Sequence, residues 1–358
     1  MSNIAVIGAG VFGITTALRL SQEHEVTLFE QHTDVMEEAS FNNHWRHHIG
    51  YHYPRSKDTV QEIRNATVSF EKKYKKAIIN GFPSYYGISK TNTKTTAEQF
   101  IKFCKEQKLP YTLCEPPKEI FDKDALSLCV KTPEAIYDMD AFKNILQTEL
   151  SNSPIKLLLN HSVVAGKRNK TLTIMKGGKT FEKKFDVIIN ATYAHFNTFH
   201  TWFGFPKKEV QYELIELLEV QLPHKELFGA TIVDGEFPSI LPRGTRGTFT
   251  LGHVRASVLK GIISKEQDVS VMSNKKISSH RNQIIQESAL YLPLLQKAKV
   301  LNSLFVTRVV KAHQEADDAR PTEITEYGSN IYSIFAGKII TCVQTAEDLA
   351  KRIAKRNE

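Results

Sequence analysis

Ile4-Ala5-Val6-Ile7, then Gly8-Ala9-Gly10-Val11-Phe12-Gly13, then residues 14–21, then Val26-Thr27-Leu28-Phe29-Glu30: this opening stretch decides the fold. The apolar run predicts a strand, the next stretch a helix, and the second apolar run a strand that ends on an acid. Between the first two stands GxGxxG. Gly8 permits the tight turn, Gly10 lets the backbone approach a pyrophosphate, and Gly13 lets helix and strand pack closely, with Val11 and Phe12 completing the loop. The helix N-terminus then faces the negative charge. Glu30, 17 residues beyond Gly13, is placed to accept hydrogen bonds from a ribose 2′-hydroxyl and to repel a 2′-phosphate, which disfavours NADP. A structural glycine turn is the alternative, but strand, turn, helix, strand and acid all fall in register. At this point the dinucleotide is either NAD or FAD.

A chain of 358 residues suggests two domains at ~150 residues each. No apolar run approaches the ~18 residues of a membrane span. The apolar run beginning at Ile4 leaves no room for a charged leader, so a cytoplasmic protein without an integral membrane segment is expected. Cys104, Cys114, Cys129 and Cys342 show no CxxC spacing, which argues against a zinc ribbon or a disulfide scaffold and for reduced, structural thiols. The net charge of +8 is dispersed, so nucleic acid is not an expected partner. The one dense basic cluster, Lys351, Arg352, Lys355 and Arg356, reads as a solvated face at a helix end. Oligomeric state stays open.

Further along, helices are predicted over 54–79 and 97–107, strands over 84–89 and 126–130, and a helix capped by Asp140 running to residue 150. Strands at 156–164, 171–176 and 179–185, with a Gly177-Gly178 turn, and a buried run over 187–192 read as a meander returning a last strand to the dinucleotide sheet. Strands at 213–220, 230–233, 239–241 and 248–254 suggest an antiparallel sheet. A helical region over 278–297 is interrupted by Pro293. The chain closes with a strand at 331–335, Ala336-Gly337, and a helix over 341–355. That second strand–Gly–helix unit favours FAD over NAD, because a helix N-terminus stabilises the negative charge a reduced flavin develops near N1 and C2=O.

Several segments together resemble the D-amino-acid-oxidase-like superfamily of FAD-dependent oxidoreductases, which includes glycine and sarcosine oxidases and L-2-hydroxyglutarate dehydrogenase. They are GAGVFG with Glu30, Ala39-Ser40, His48-Ile49-Gly50-Tyr51-His52-Tyr53, residues 186–192, Asp318-Ala319-Arg320-Pro321-Thr322, and Gly337-Lys338-Ile339-Ile340-Thr341. The resemblance implies an α/β protein: a discontinuous Rossmann-like FAD-binding domain (1–82, 140–205 and 318–358) with an interleaved antiparallel-sheet substrate domain, an α+β cap (83–139 and 206–317). Gly8, Gly10, Gly13 and Glu30 would hold the ADP half, Ser40 the phosphates and Val164 the adenine. Gly337, Lys338, Ile339, Ile340 and Thr341 would hold the pyrimidine edge, with Arg46, Ala191 and Thr192 also against the cofactor. Ala191-Thr192-Tyr193 departs from the Ala-Thr-Gly of many relatives, and Ala336-Gly337-Lys338 from their Gly-Gly-Lys.

Residues 43–55 hold four of the 13 histidines, and the resemblance places them beside the flavin. His44, His48 and His52 have helical spacing, but Gly50 and Pro54 oppose a helix and no carboxylate lies among them, so no metal is expected. Covalent attachment of flavin through a histidine occurs in some relatives, and no local motif demands it. Oxidation by hydride transfer to flavin N5 needs a proton removed from the adjacent amine or hydroxyl. His48 or His52 could take it, since imidazole titrates near neutrality, with Tyr51 between them. Arg46, Arg55, Arg255 and Arg320 are candidates to grip a carboxylate. His253 and Arg255, alternating on a predicted strand, would form a pair on the cap. The expected substrate is a small anionic amine, amino acid or 2-hydroxy acid. The rivals are a flavoprotein without net redox change, as in sugar mutases, and a binding protein that retains the fold without the chemistry.

Overall fold

The computed structural model describes residues 1–224, 226–266, 278–313, 319–328 and 330–355. The opening stretch forms strand β1 (Asn3–Ile7), helix α1 (Val11–Leu20) and strand β2 (Glu25–Phe29). They belong to a six-stranded sheet ordered Glu323–Glu326, Ile331–Phe335, Val187–Asn190, β1, β2, Lys156–Leu158. All neighbours are parallel except the Glu323–Glu326 edge. Continuous apolar runs suit such a sheet because helices cover both of its faces. Helix α1 is buried nearly all round and packs beside the terminal helix Cys342–Ala354, tied to it by Arg19 and Glu347 at 2.8 Å. From β1 the chain moves through α1 to β2 on one side, and Val187–Asn190 lies on the other. The glycine turn therefore sits where the strand order reverses, the position at which such sheets leave a crevice.

The predicted run over 156–164 is two elements. Lys156–Leu158 pairs parallel to β2, and after a turn with Asn160 at φ 57° the strand Ser162–Lys167 opens a three-stranded antiparallel meander. Gly177 and Gly178 make its hairpin turn with φ of 55° and 78°, the left-handed pair that a two-residue hairpin requires.

The substrate sheet has nine strands centred on Val210–Gln221 and is antiparallel except where Gly229–Ile232 runs parallel to Ser84–Ser89. A strand not expected from sequence, Lys299–Lys311, pairs along the whole of Val210–Gln221. Most of its residues are half-buried on both faces, which erases the two-residue alternation that marks a strand. Other corrections concern helix ends. The helix expected over 54–79 is Lys57–Tyr74 with one 3₁₀ turn after it, and the region 278–297 is a helix at Arg281–Ala289 and a separate 3₁₀ turn at Pro293–Lys297. Asp318 and Arg356 lie outside the described residues. No helix among the described residues is long and apolar enough to cross a membrane.

Asp138, not Asp140, caps the helix Met139–Ser151: its carboxylate accepts from the N–H groups of Asp140 and Ala141 at 3.1 and 3.0 Å. Asp140 instead meets Arg246 at the surface. Asp138→Ala should therefore cost about 1 kcal/mol of stability, while Asp140→Ala costs under about 1 kcal/mol as an exposed ion pair. Urea midpoints of the two variants check the order.

Candidate active site

A cavity of about 670 Å³ runs from the glycine turn to the substrate sheet. At its first end the turn is shaped by close contacts. Gly8 sits at φ 98°, and a Cβ there would lie 2.8 Å from the Ala191 carbonyl oxygen; a Cβ on Gly13 would lie 1.8 Å from the Gly8 carbonyl oxygen. A Cβ on Gly10 would meet the Ser40 hydroxyl at 2.7 Å. That hydroxyl accepts the Val11 N–H at 3.0 Å, and the first turn of α1 contains no acidic side chain, so its positive end is left for a ligand. The Glu30 carboxylate is buried and accepts from the Ala9 and His32 N–H groups at 2.8 and 3.0 Å. These residues fit a dinucleotide pyrophosphate with its ribose at Glu30.

Of the residues singled out from sequence, Gly8, Gly10, Val11, Phe12, Glu30, Ser40 and Arg46 line the cavity. So do His48, His52, Ala191, Thr192, Arg320, Gly337, Lys338 and Ile339. Gly13 lies behind the turn as a packing contact. Val164 is turned outward, 37% exposed beside a bulge in its strand, and the wall there is His161, Ser162 and Val163 instead. Ile340 is core, and the Thr341 hydroxyl braces the loop by donating to the Lys338 carbonyl at 2.7 Å. Tyr51 is fully buried away from the cavity, its hydroxyl donating to the Pro110 carbonyl. Arg255 is not on a strand: Phe249–His253 ends two residues earlier, and Arg255 stands in an exposed turn paired with Glu236 and Glu287. The structure brings neither Tyr51 nor Arg255 to the cavity.

The histidine segment is clamped to the substrate sheet at both ends by ion pairs. Arg46 donates to Glu134 at 2.7 Å, to the Thr231 hydroxyl at 2.7 Å, and to the Tyr86 and Ser239 hydroxyls. Both charges are buried, with side-chain exposures of 4% and 1%. Arg46 is thus committed to the cap, and its guanidinium has little left to offer a ligand. At the other end Arg55 meets the buried Asp234 at 2.8 Å, and the Thr95 hydroxyl also donates to Asp234. Between the clamps His48 and His52, and just ahead of the first clamp His44, face the cavity, each with an Nδ1 that finds no hydrogen-bond partner among the described residues. Burial holds His48 well below the ordinary imidazole range, helped by Lys338 and Arg46; burial does the same for His52, helped by Arg46 and Arg320. All three are neutral at pH 7.

Opposite them stand cations. Lys338 is buried, its ammonium 3.9 Å from the Tyr53 ring centroid and without a well-formed hydrogen bond among the described residues. Burial pulls its pKa down, as does nearby Arg320. Arg320 lies on the cavity wall, lowered by burial and by Arg308 beside it. Arg308 is occupied by Glu213 at 2.6 Å, whereas no described residue makes a hydrogen bond or ion pair with the Arg320 guanidinium. Among the described residues the only carboxylates on the cavity wall, Glu30 and Glu38, belong to its other end. Sequence reasoning missed Arg308, on the strand it did not expect, and gave Tyr193 no role at the site. Tyr193 takes φ 49°, in the left-handed region, and its hydroxyl is held by the Val309 backbone.

The neutral histidines carry a pH consequence. His44 is pushed down to about 3 and His200, in the core, to about 4, both by burial first. The unfolded chain binds protons at about 6.5 that these native imidazoles refuse, so stability falls as pH drops from 7 toward 5. The loss should be on the order of 1–2 kcal/mol for each such imidazole. A denaturation midpoint that stays level from pH 7 to 5 would contradict this.

Residues 3–201 match the family described as FAD dependent oxidoreductase (DAO). The chain is 27% identical over 249 residues to the FAD-dependent monooxygenase kojA of Aspergillus flavus, covering 67% of this chain and 58% of that protein. It is 24% identical over 351 residues to the FAD-dependent monooxygenase FPY4 of Fusarium mangiferae, covering 95% and 88%. The chain thus spans under two thirds of the Aspergillus relative's length. Among solved structures, glycine oxidase from Geobacillus kaustophilus superposes with TM-score 0.72 at 13% identity over 98% of this chain and 95% of that one. L-alpha-glycerophosphate oxidase from Mycoplasma pneumoniae, with FAD bound, gives 0.75 at 14% over 98% and 94%. The glycine cradle, the two sheets and a family match over more than half of the chain agree: the chain belongs to the DAO family of FAD-dependent oxidoreductases.

Proposed function

We propose that this FAD-dependent oxidoreductase oxidises a small anionic amine, amino acid or 2-hydroxy acid. The observation that carries the reading is the Arg320 guanidinium, which faces the cavity beside Lys338 with no ion-pair partner among the described residues, the nearby Glu213 being taken by Arg308. FAD, when bound, supplies a hydride acceptor at N5. Arg320 orients the anionic group of the substrate, its planar fork suiting a carboxylate. His48 or His52 takes the proton from the hydroxyl or amine. Alone, the cations beside these imidazoles make them poor proton acceptors. An entering carboxylate cancels part of that field and raises their proton affinity when the substrate is in place. An amine that arrives neutral needs less of this help than an alcohol. Ile215, Leu217, Phe237 and Val258 give the cap side an apolar lining that disfavours water beside the reacting atoms.

A second reading, monooxygenation, is favoured by the two fungal relatives, both FAD-dependent monooxygenases by name, one of which aligns with 95% of this chain. Anaerobic mixing separates the two: an oxidised amine or hydroxy acid bleaches the flavin by itself, whereas a monooxygenase of external-donor type bleaches only with added nicotinamide. Screening amino acids, hydroxy acids and sugar derivatives in this way tests the reading, and bleaching by none of them would sink it.

Two variants test the parts. Gly10→Leu should expel the cofactor, because the side chain meets Ser40 where the pyrophosphate is to lie; a yellow variant would show the site is elsewhere. Alanine at His48 and His52 should slow flavin reduction by about 10²-fold with cofactor content unchanged. In the wild type the acid limb of that rate should lie below pH 6.5, the ordinary imidazole value. A reduction rate unchanged from pH 6 to 9 in the single and double variants would remove both residues from the chemistry.

A further inference from the structure

Far from the cavity, the substrate sheet ends in the short strand Thr112–Leu113 paired antiparallel with Leu126–Thr132, in the register Thr112↔Lys131 and Leu113↔Val130. One step on, that register sets Cys114 opposite Cys129. The Cys114 N–H donates to the Cys129 carbonyl at 3.2 Å, and the two Sγ atoms are 3.7 Å apart. Directly opposed residues in such a ladder have Cα atoms about 4.5–5.5 Å apart, inside the span a disulfide bridges, so side-chain rotation alone closes the gap. Both cysteines are free thiols. Their exposure is unequal: Cys114 is half-buried and reachable, while Cys129 is buried in the second core with Ile120, Phe121 and Leu126.

We propose that Cys114 and Cys129 form a reversible disulfide when the protein meets hydrogen peroxide. The Cys114 sulfur attacks the peroxide: an S–O bond forms, the O–O bond breaks and one water leaves, giving a sulfenic acid. The Cys129 sulfur then attacks the Cys114 sulfur, an S–S bond forms, the S–O bond breaks and a second water leaves. Two thiols lose two protons and two electrons, and peroxide is reduced to two waters. Burial raises the pKa of Cys129, which makes the half-buried Cys114 the first target of peroxide and Cys129 the thiol that resolves it; Cys104 and Cys342 are buried with no cysteine beside them among the described residues, so neither has a partner to close a disulfide. The bond ties the edge strand to its neighbour and closes the intervening loop.

The test treats the FAD-loaded protein with a small excess of hydrogen peroxide and counts thiols after denaturation. The count should fall from four to two, with one cross-linked peptide joining Cys114 to Cys129, and dithiothreitol should restore all four. Cys114→Ser and Cys129→Ser should each keep their three thiols unlinked. Four surviving thiols, a Cys114 carried on to sulfinic acid with Cys129 still free, or a link through Cys104 or Cys342 would overturn the proposal. The peptide map of the wild type decides the matter even where a serine variant folds poorly.

Discussion

The site depends on one buried charge pair. Arg46 and Glu134 are removed from water together, and the hydroxyls of Tyr86, Thr231 and Ser239 satisfy the remaining hydrogen bonds of the guanidinium. Such a pair is weak evidence for net stability, since desolvation offsets much of the attraction. Removing one partner, however, leaves a naked buried charge, at a cost of about 3–5 kcal/mol. The pair therefore acts as a registration pin. The segment it anchors has strand pairing only over Arg46–His47, against Ala135 and Ile136, and is otherwise irregular, so side chains fix much of its course. With Arg46 on Glu134 and Arg55 on Asp234, and with His47 turned to Tyr137 and Glu71, His48 and His52 between them have little freedom to face anywhere but the cavity.

Once placed there, the histidines and cations work against each other. Arg320, Lys338 and Arg46 make a positive wall, and the imidazoles respond by staying neutral. Either group alone would be unremarkable chemically. Under the proposed function, together they would make a surface whose proton affinity depends on whether an anion occupies it, linking binding to base strength without any movement of the chain.

The phosphate end was legible in the sequence because its requirements are local. Gly8, Gly10 and Gly13 are demanded by contacts within a few residues of one another or with one returning strand, and a short motif reports them well. The other end was legible only by segment. The resemblance drew attention to residues 48–53, yet nothing local says that His48 and His52 face the cavity while Tyr51, between them, turns to Pro110. Arg46 was read as a ligand-facing cation, and its partner Glu134 is 88 residues away, a pairing no periodicity reveals. Arg308 was hidden by the strand that carries it, half-buried on both faces and so without alternation. Arg255 erred the other way: alternation with His253 was extrapolated past the end of a strand into a turn.

The order of strands in the dinucleotide sheet also bears on how the chain is made. Val187–Asn190 pairs on one side with β1, which is synthesised early, and on the other with Ile331–Phe335, which comes 141 residues later. At ribosomal speeds of about 5–20 residues per second, that interval is roughly 7–28 s. Throughout it the growing polypeptide carries a bare, hydrophobic parallel strand with its hydrogen-bonding edge unfilled, a template for pairing with any neighbouring chain. The stretch also lacks the final helix that covers α1. The yield of active protein is therefore expected to respond to chaperone supply and elongation rate more than its finished stability would suggest.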